Sequence, residues 1–220
     1  MDTKTKVLTL LKNKYHPFPN CDVSESYVPS SAIAYGPNTK LVIPENIKHL
    51  LLSMGELTRQ YGKELSYILL GHDNRKNGNE NEVIISEIIF ESKAVGNARS
   101  VELSSKMLYH TKEKAIKYYN MHGPSSVCLS GHTHPNGYYS DFFSFGDFEH
   151  LINIETTWKP KVNCQYGIFV VAGSKNNASL PTTSDFKYAY YHNNFYQFKD
   201  VEISKEFTGT ISDISKEQNK

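Results

Sequence analysis

The sequence lacks long apolar runs, paired cysteines and repeats. No apolar run approaches the roughly 20 residues that a membrane-spanning helix needs. In the lysine-rich stretch 1–14, the apolar run 7–11 is too short for the core of a secretory signal. The three cysteines, Cys21, Cys128 and Cys164, have no paired spacing. These features predict a cytoplasmic protein with reduced thiols and no membrane partner.

An excess of either charge is also missing. Lysine and arginine number 24 against 23 aspartates and glutamates, which gives a formal net charge of +1. Because nucleic-acid surfaces need a basic excess or stripe, we expect no nucleic-acid partner. A chain of 220 residues is long enough for one well-buried core and short for two. The pattern does not indicate the oligomeric state.

The chain divides into an extension, a domain and a tail. Residues 1–40 are predicted to be an N-terminal extension, since residues 15–40 collect prolines with serines and tyrosines. Residues 41–200 are predicted to form the domain. Residues 201–220 form a polar C-terminal tail, which we expect to be frayed from Ser204.

Within the domain, the apolar period alternates between helix and strand, which favours an α/β class. In α-helix 104–120, Leu108, Ala115, Ile116 and Tyr119 are expected to face inward. The other predicted elements are helix 44–61, strands 65–71 and 83–90 joined by a turn at Asn77-Gly78, strand 127–129, helix 144–154, strand 168–172 and a hairpin of 187–191 with 195–199.

Two histidines follow the apolar run at residues 127–129. His132 and His134 are two residues apart, so they leave the same face of an extended segment but diverge on a helix. Pro135 opposes a helix across the pair. The sequence therefore predicts two imidazoles side by side at the C-terminal end of a buried strand.

A serine and an aspartate follow at a helix-start spacing. Ser144 and Asp147 have the capping-box arrangement, in which an acid lies three residues after the serine. Asp147 would lie in the first helical turn. Two imidazoles and one carboxylate can hold a catalytic zinc with one position open for water. Zinc is favoured over magnesium or calcium because hard cations prefer oxygen ligands.

These residues resemble a known family. The order His132-Thr133-His134-Pro135 and then Ser144-x-x-Asp147 is similar to the signature of the JAMM (JAB/MPN) zinc metalloproteases. That family has an upstream glutamate before a strand that ends in Leu-x-Gly, and the segment 64–71, ELSYILLG, has this form. The resemblance implies a mixed β-sheet flanked by helices in one domain, as in the cytidine-deaminase-like fold.

The resemblance also implies roles for residues of this chain. His132, His134 and Asp147 would bind Zn²⁺, and Glu64 would be the catalytic base that activates water. Ser144 would either cap the helix alone or also stabilise the oxyanion. The implied reaction is hydrolysis of a peptide or isopeptide bond after the C-terminus of ubiquitin or a ubiquitin-like protein, whose tail would lie extended in a groove.

Two departures from the family pattern bear on the site. The loop from Pro135 to Ser144 is longer than the family's usual form, which makes Asp141 a rival to Asp147 for the metal. Tyr67 stands where the family has a small residue, which leaves room for a differently shaped substrate groove. Tyr138 and Tyr139 could also line such a groove, and His150 could support the metal ligands from one helical turn beyond Asp147.

Other functional classes remain as alternatives. A non-catalytic MPN-type scaffold would bind partners without metal or Glu64. A RadC-like bacterial protein carries the same motif with an unsettled role. Gly131-His132-Thr133-His134 also resembles the last motif of calcineurin-like phosphatases, but the earlier motifs of that family are missing. The sequence contains neither the His-Glu-x-x-His of zincins nor the Pro-Cys-x-x-Cys of zinc deaminases.

Overall fold

The computed structural model describes residues 27–29, 38–74, 81–92, 103–134, 142–144, 147, 150, 165–172, 182, 186–191, 195–196, 198 and 200–216. Helix α1 spans Glu45–Tyr61 and helix α2 spans Ser105–His122. Short 3-10 turns cover Gly123–Ser125 and Ile214–Lys216. The strands are β1 Tyr27–Pro29, β2 Asn38–Pro44, β3 Ser66–Asn74, β4 Asn81–Phe90, β5 Ser126–His134, β6 Phe142–Ser144, β7 Gln165–Ala172, β8 Phe186–Tyr191, β9 Phe195–Tyr196, β10 Asp200–Ser204 and β11 Thr210–Asp213.

The strands form one large mixed sheet and a small ribbon. Neighbouring strands follow the order β10-β2-β4-β3-β5-β7-β8-β9, and β11 pairs with the end of β4 beyond β2. At the centre of the sheet, β3 runs antiparallel to both of its neighbours, β4 and β5, whereas β5 and β7 run parallel to each other. The ribbon pairs β1 with β6. The predicted mixed α/β organisation in a single chain is confirmed.

Helices α1 and α2 cover opposite faces of the sheet. The apolar face of α1 shares one buried cluster with Tyr67 and Leu69 of β3 and with Leu129 of β5. Because side chains alternate along a strand, Ile68, Leu70 and Cys128 point to the other face. Glu87 on that second face receives a 2.7 Å ion pair from Lys114 of α2. The molecule therefore has helices on both sides of its central strands.

Helix α1 begins after Pro44 and ends at Gly62, as predicted. Gly62 has φ 64°, a left-handed conformation that glycine adopts readily, and its N–H donates to Thr58 O at 2.8 Å. The side chains of Ile47 and Met54 lie on the buried apolar stripe of this helix. At the C-terminal end of the helix the buried face shifts by one residue. There the polar side chain of Thr58 is buried, whereas that of Leu57 is exposed.

Helix α2 begins within one residue of its predicted start, where the Ser104 hydroxyl caps it by accepting a hydrogen bond from the Met107 N–H at 3.0 Å. Its predicted inward face is wrong by one residue for Leu108 and Ile116, which are 36% and 39% exposed. The buried stripe consists of Met107, Thr111, Ala115 and Tyr118. A buried threonine in this stripe conceals the helical period when only apolar residues are counted.

The expectation of a frayed stretch from Ser204 is wrong. Strand β10 ends at Ser204 and runs parallel to β2, and β11 runs parallel to β4. Ile214 is buried, and its carbonyl accepts a 2.6 Å hydrogen bond from Lys106 Nζ. The predicted boundary at residue 40 falls inside β2. Residues 38–40 and 201–216 therefore belong to the folded unit.

The remaining predicted elements differ in outcome. The strands at 65–71, 83–90 and 168–172 and the hairpin of β8 and β9 are confirmed. The Asn77-Gly78 turn lies outside the described residues, although β3 and β4 pair in the antiparallel sense that such a turn requires. Neither described helix combines the length and the apolar character that crossing a membrane requires.

Candidate metal centre

His132 and His134 occupy the last residues of β5, as predicted. They lie on the same strand face, and their Nε2 atoms are 2.8 Å apart. Their ring centroids are separated by 4.8 Å. At this distance one imidazole nitrogen donates to the other, so the two rings converge on a shared point.

Asp147 completes the cluster from a separate helical segment. Its Oδ1 lies 3.2 Å from His132 Nε2, and its side chain is almost fully buried. His132, His134 and Asp147 each offer one ligand atom, and these atoms all lie within 4.8 Å of one another. The structure thus brings together the three predicted ligands, which come from two segments of the chain.

Two of the donor separations are close to those around a tetrahedral metal ion. Tetrahedral zinc with bonds of about 2.0–2.1 Å holds its donor atoms about 3.3 Å apart. The His132 to Asp147 separation of 3.2 Å matches this value, and the 2.8 Å between the imidazoles would open slightly. Two nitrogens and one oxygen are also a donor set that suits zinc better than calcium or magnesium. These residues could hold a metal ion.

Glu64 lies in the short connection between α1 and β3, two residues before the strand begins. Burial raises the pKa of its carboxyl from 4.5 to about 7, while the charge of His132 lowers it and that of Asp147 raises it. The segment of Glu64 lies next to the histidines, because Ser66 pairs with His132 and the Thr133 N–H donates to Leu65 O. A carboxyl with a pKa near neutrality can both accept and release a proton, as a general base and acid must.

Ser130 and His150 form a second link beside the cluster. The Ser130 hydroxyl and His150 Nε2 are 2.9 Å apart. Ser130 precedes His132 by two residues and so lies on the same strand face, and His150 lies one helical turn after Asp147. Burial and the charge of His132 lower the pKa of His150, while Asp147 opposes them. The sequence indicated His150 as a supporting residue but missed its partner, which strand alternation from His132 would have identified.

The other candidate positions are only partly described. Ser144 is the last residue of β6, and its backbone pairs with Tyr27 of β1. An extended backbone is typical of a helix cap, and Asp147 and His150 are both helical, as the predicted helix requires. The side chain of Ser144 and all of Asp141, Tyr138 and Tyr139 lie outside the described residues.

Tyr67 does not line a groove, contrary to the expectation. It is fully buried on the α1 face, and its hydroxyl donates to Phe169 O at 2.8 Å. Its ring lies over Gly131, where an added Cβ would come within 1.9 Å of Tyr67 Cε2. An aromatic residue opposite a glycine is a stable cross-strand pair. The large side chain therefore fills the core on the face opposite the histidines.

No protein-family model matches the chain, and no curated protein matches it. Among the described residues, the only group of three or more potential metal ligands is His132, His134 and Asp147.

Proposed function

We propose that this protein is a zinc-dependent peptidase or isopeptidase of the JAMM type. The observation that carries the proposal is the convergence of His132, His134 and Asp147 within 4.8 Å, with Glu64 buried beside them. A hydrolase that activates water needs both a metal site and a nearby base. A scaffold would need neither, so the presence of both supports an enzyme.

In the proposed mechanism, the chain supplies the ligands and the proton transfers. His132, His134 and Asp147 would hold the zinc. A bound zinc ion supplies Lewis-acid chemistry, which lowers the pKa of a water molecule towards 7 and polarises a carbonyl group. Glu64 takes the proton from the attacking water and delivers it to the leaving amine. Burial favours both transfers, because it keeps competing bulk water away from the carboxyl.

Ser144 would act in the same reaction through its hydroxyl. We propose that it donates a hydrogen bond to the oxyanion of the tetrahedral intermediate. Its backbone ends β6 only three residues before Asp147, which supports a position near the metal. Removal of comparable donors in other hydrolases costs about 3 kcal/mol of transition-state stabilisation.

The proposed substrate is the C-terminal tail of ubiquitin or a ubiquitin-like protein, or its conjugate. This part of the proposal is supported by the resemblance of the ordered motif residues to the JAMM signature. An extended tail is a suitable substrate for a metal site at the end of a strand, because its backbone stays accessible to attack. The proposed setting is the cytoplasm.

The test is cleavage of a panel of linear ubiquitin-like fusions by zinc-loaded protein, with a generic unstructured peptide as comparison. We expect at least one fusion to be cut after its C-terminal residue, and we expect Glu64→Gln to lower kcat by about 10²- to 10⁴-fold, to a small residual rate. The control is Glu206→Gln, which changes an exposed carboxylate. Cleavage of the generic peptide alone would rule out the substrate class, and full activity of Glu64→Gln would rule out the mechanism.

A further inference from the structure

Thr133 lies between the two proposed metal histidines but points the other way. Strand alternation directs His132 and His134 to one face of the sheet and Thr133 to the opposite face, towards α1. There its side chain is completely buried, as is that of Thr58 in the last turns of α1. A buried hydroxyl needs hydrogen-bond partners, so the contacts of Thr133 indicate what it stabilises.

The partners of Thr133 are Leu65 and Thr58. The Leu65 N–H donates to Thr133 Oγ1 at 2.9 Å, and the Thr133 N–H donates to Leu65 O at 3.0 Å. The hydroxyls of Thr58 and Thr133 form a short hydrogen bond in which either can donate. One threonine therefore holds both backbone groups of Leu65 and is itself held by the helix.

Leu65 directly follows Glu64, which lies outside the regular pairing of β3. That pairing begins at Ser66, opposite His132. On its other side, the segment is anchored where the Gly62 N–H donates to Thr58 O at 2.8 Å. Thr58 therefore fixes the start of the connection through its carbonyl, and fixes the end through its hydroxyl and Thr133. Glu64 therefore lies between two hydrogen-bonded positions, Gly62 and Leu65.

We infer that Thr133 and Thr58 are positioning residues that hold Glu64 in register with the metal ligands. The catalytic consequence rests on the proposed function, whereas the anchoring of the Glu64 segment does not. Thr133 is suited to this role because its backbone is continuous with both histidines. A displacement of β5 at the metal then moves the base with it, so the distance from Glu64 to the ligands is preserved.

The first experiment compares Thr133→Val, which removes the hydroxyl but keeps the shape, with Thr133→Ser, which keeps the hydroxyl. We expect Thr133→Val to lower kcat by about 10- to 100-fold, since small misplacements of a catalytic group have effects of this size. KM and the zinc content should change less than about twofold, because the ligands and the substrate surface are untouched. Thr133→Ser should restore most of kcat.

Thr111→Val is the matched control. Thr111 is also a completely buried threonine, but it lies on α2, and its hydroxyl has no hydrogen-bond partner among the described residues. We expect it to leave kcat unchanged. Thr58→Val provides an independent variant from the helix side if Thr133→Val does not fold, and it should lower kcat in the same direction.

A double-mutant cycle tests whether Thr133 acts through Glu64. In the Glu64→Gln background, Thr133→Val should cause no further loss of kcat, because the base that it positions is already absent. Losses that multiply instead would overturn the inference, since they would show that the threonine acts independently of the base. Loss of zinc in Thr133→Val would also overturn it and indicate a purely structural role.

Amide hydrogen exchange tests the anchoring without any activity. In metal-free wild-type protein, the Leu65 amide should be protected, and Thr133→Val should remove that protection while the Leu69 amide in β3 stays protected. Equal protection of Leu65 in both proteins would overturn the inference. If wild-type protein cleaves no substrate, or Glu64→Gln remains fully active, the proposed function fails, and this exchange result still decides whether Thr133 anchors the Glu64 segment.

Discussion

At the scale of single residues, Glu64 links the stability of the metal-free protein to pH. Burial, and then the neighbouring charge of Asp147, raise the pKa of its carboxyl from 4.5 to about 7, and only His132 opposes them. A raised pKa means that folding favours the protonated acid. The resulting stabilisation is complete below pH 4.5 and is lost as the pH rises through about 7.

We therefore predict that Glu64→Gln raises the thermal midpoint of metal-free protein at about pH 8 and has little effect at about pH 5. Glutamine cannot ionise, so the variant avoids the buried negative charge that the wild type carries at the higher pH. Differential scanning calorimetry in a chelator measures both values. Glu206→Gln, at an exposed position, should show no such pH dependence. A variant that is less stable than wild type at the higher pH would contradict the prediction.

Gly131 is a second residue whose identity is set by one neighbour. A Cβ at this position would come within 1.9 Å of the Tyr67 ring, which is fixed on its other side by a hydrogen bond to Phe169 O. We predict that Gly131→Ala lowers the free energy of unfolding by about 1–3 kcal/mol, as overpacking typically does. Urea denaturation measures the change. The loss should shrink when Tyr67→Ala is also present, and an equal loss in both backgrounds would show that the ring is not the cause.

At the scale of elements, the pair of Ser130 and His150 connects the helical segment that carries Asp147 to strand β5. The link is 2.9 Å long and adjoins two of the ligands. Residues that support metal ligands typically contribute about 10- to 100-fold to metal affinity. We predict that His150→Ala weakens zinc binding by a factor in this range, and that His150→Gln weakens it less because an amide can still reach the serine.

Competition with a chromophoric chelator measures this affinity. His49→Ala is the control, because His49 is exposed on α1. Unchanged zinc affinity in His150→Ala would show that the link only joins the two elements and does not support the site.

The packing of the C-terminal strands against the sheet leads to a separate prediction about the stability of the protein. Ile214 is 1% exposed beyond the end of β11, whereas Ile211 within β11 is 46% exposed. We predict that Ile214→Ala lowers the free energy of unfolding by about 2–5 kcal/mol, as truncation in a core does. Ile211→Ala should change it by less than about 0.5 kcal/mol. Chemical denaturation distinguishes the two, and equal small effects would contradict the packing of residues 210–216 against the sheet.

At the scale of the whole molecule, the elements with local signals were predictable. Ser104 and Gly62 mark helix ends by chemistry that acts within a few residues, so α1 and α2 begin and end close to their predicted limits. Strands β10 and β11 were missed because their segments are polar and each pairs with one distant parallel neighbour. Such pairing depends on the assembled sheet and leaves little trace in the local sequence.

In the candidate site, too, the residues with local sequence signals could be predicted and those that depend on distant contacts could not. The spacing of His132 and His134 and the capping pattern before Asp147 indicated the three ligands, because these signals lie within a few residues of one another. The partners that hold the site could not be predicted. The hydrogen bonds of Thr133 with Thr58 and of Ser130 with His150 form only when helices and strands pack against each other. No local sequence pattern specifies these contacts.

We propose that three side chains of this protein, those of His132, His134 and Asp147, bind one zinc ion. The most direct measurement is the zinc content of purified, reconstituted protein by elemental mass spectrometry, for wild type, Glu64→Gln, Asp141→Ala and Asp147→Ala. We predict about one zinc per chain in the first three and a large loss in Asp147→Ala, because Asp147 is a proposed ligand, whereas Glu64 and Asp141 are not. Loss in Asp141→Ala instead would transfer the third ligand to that residue. No zinc in the wild type would contradict the claim and favour a non-catalytic scaffold.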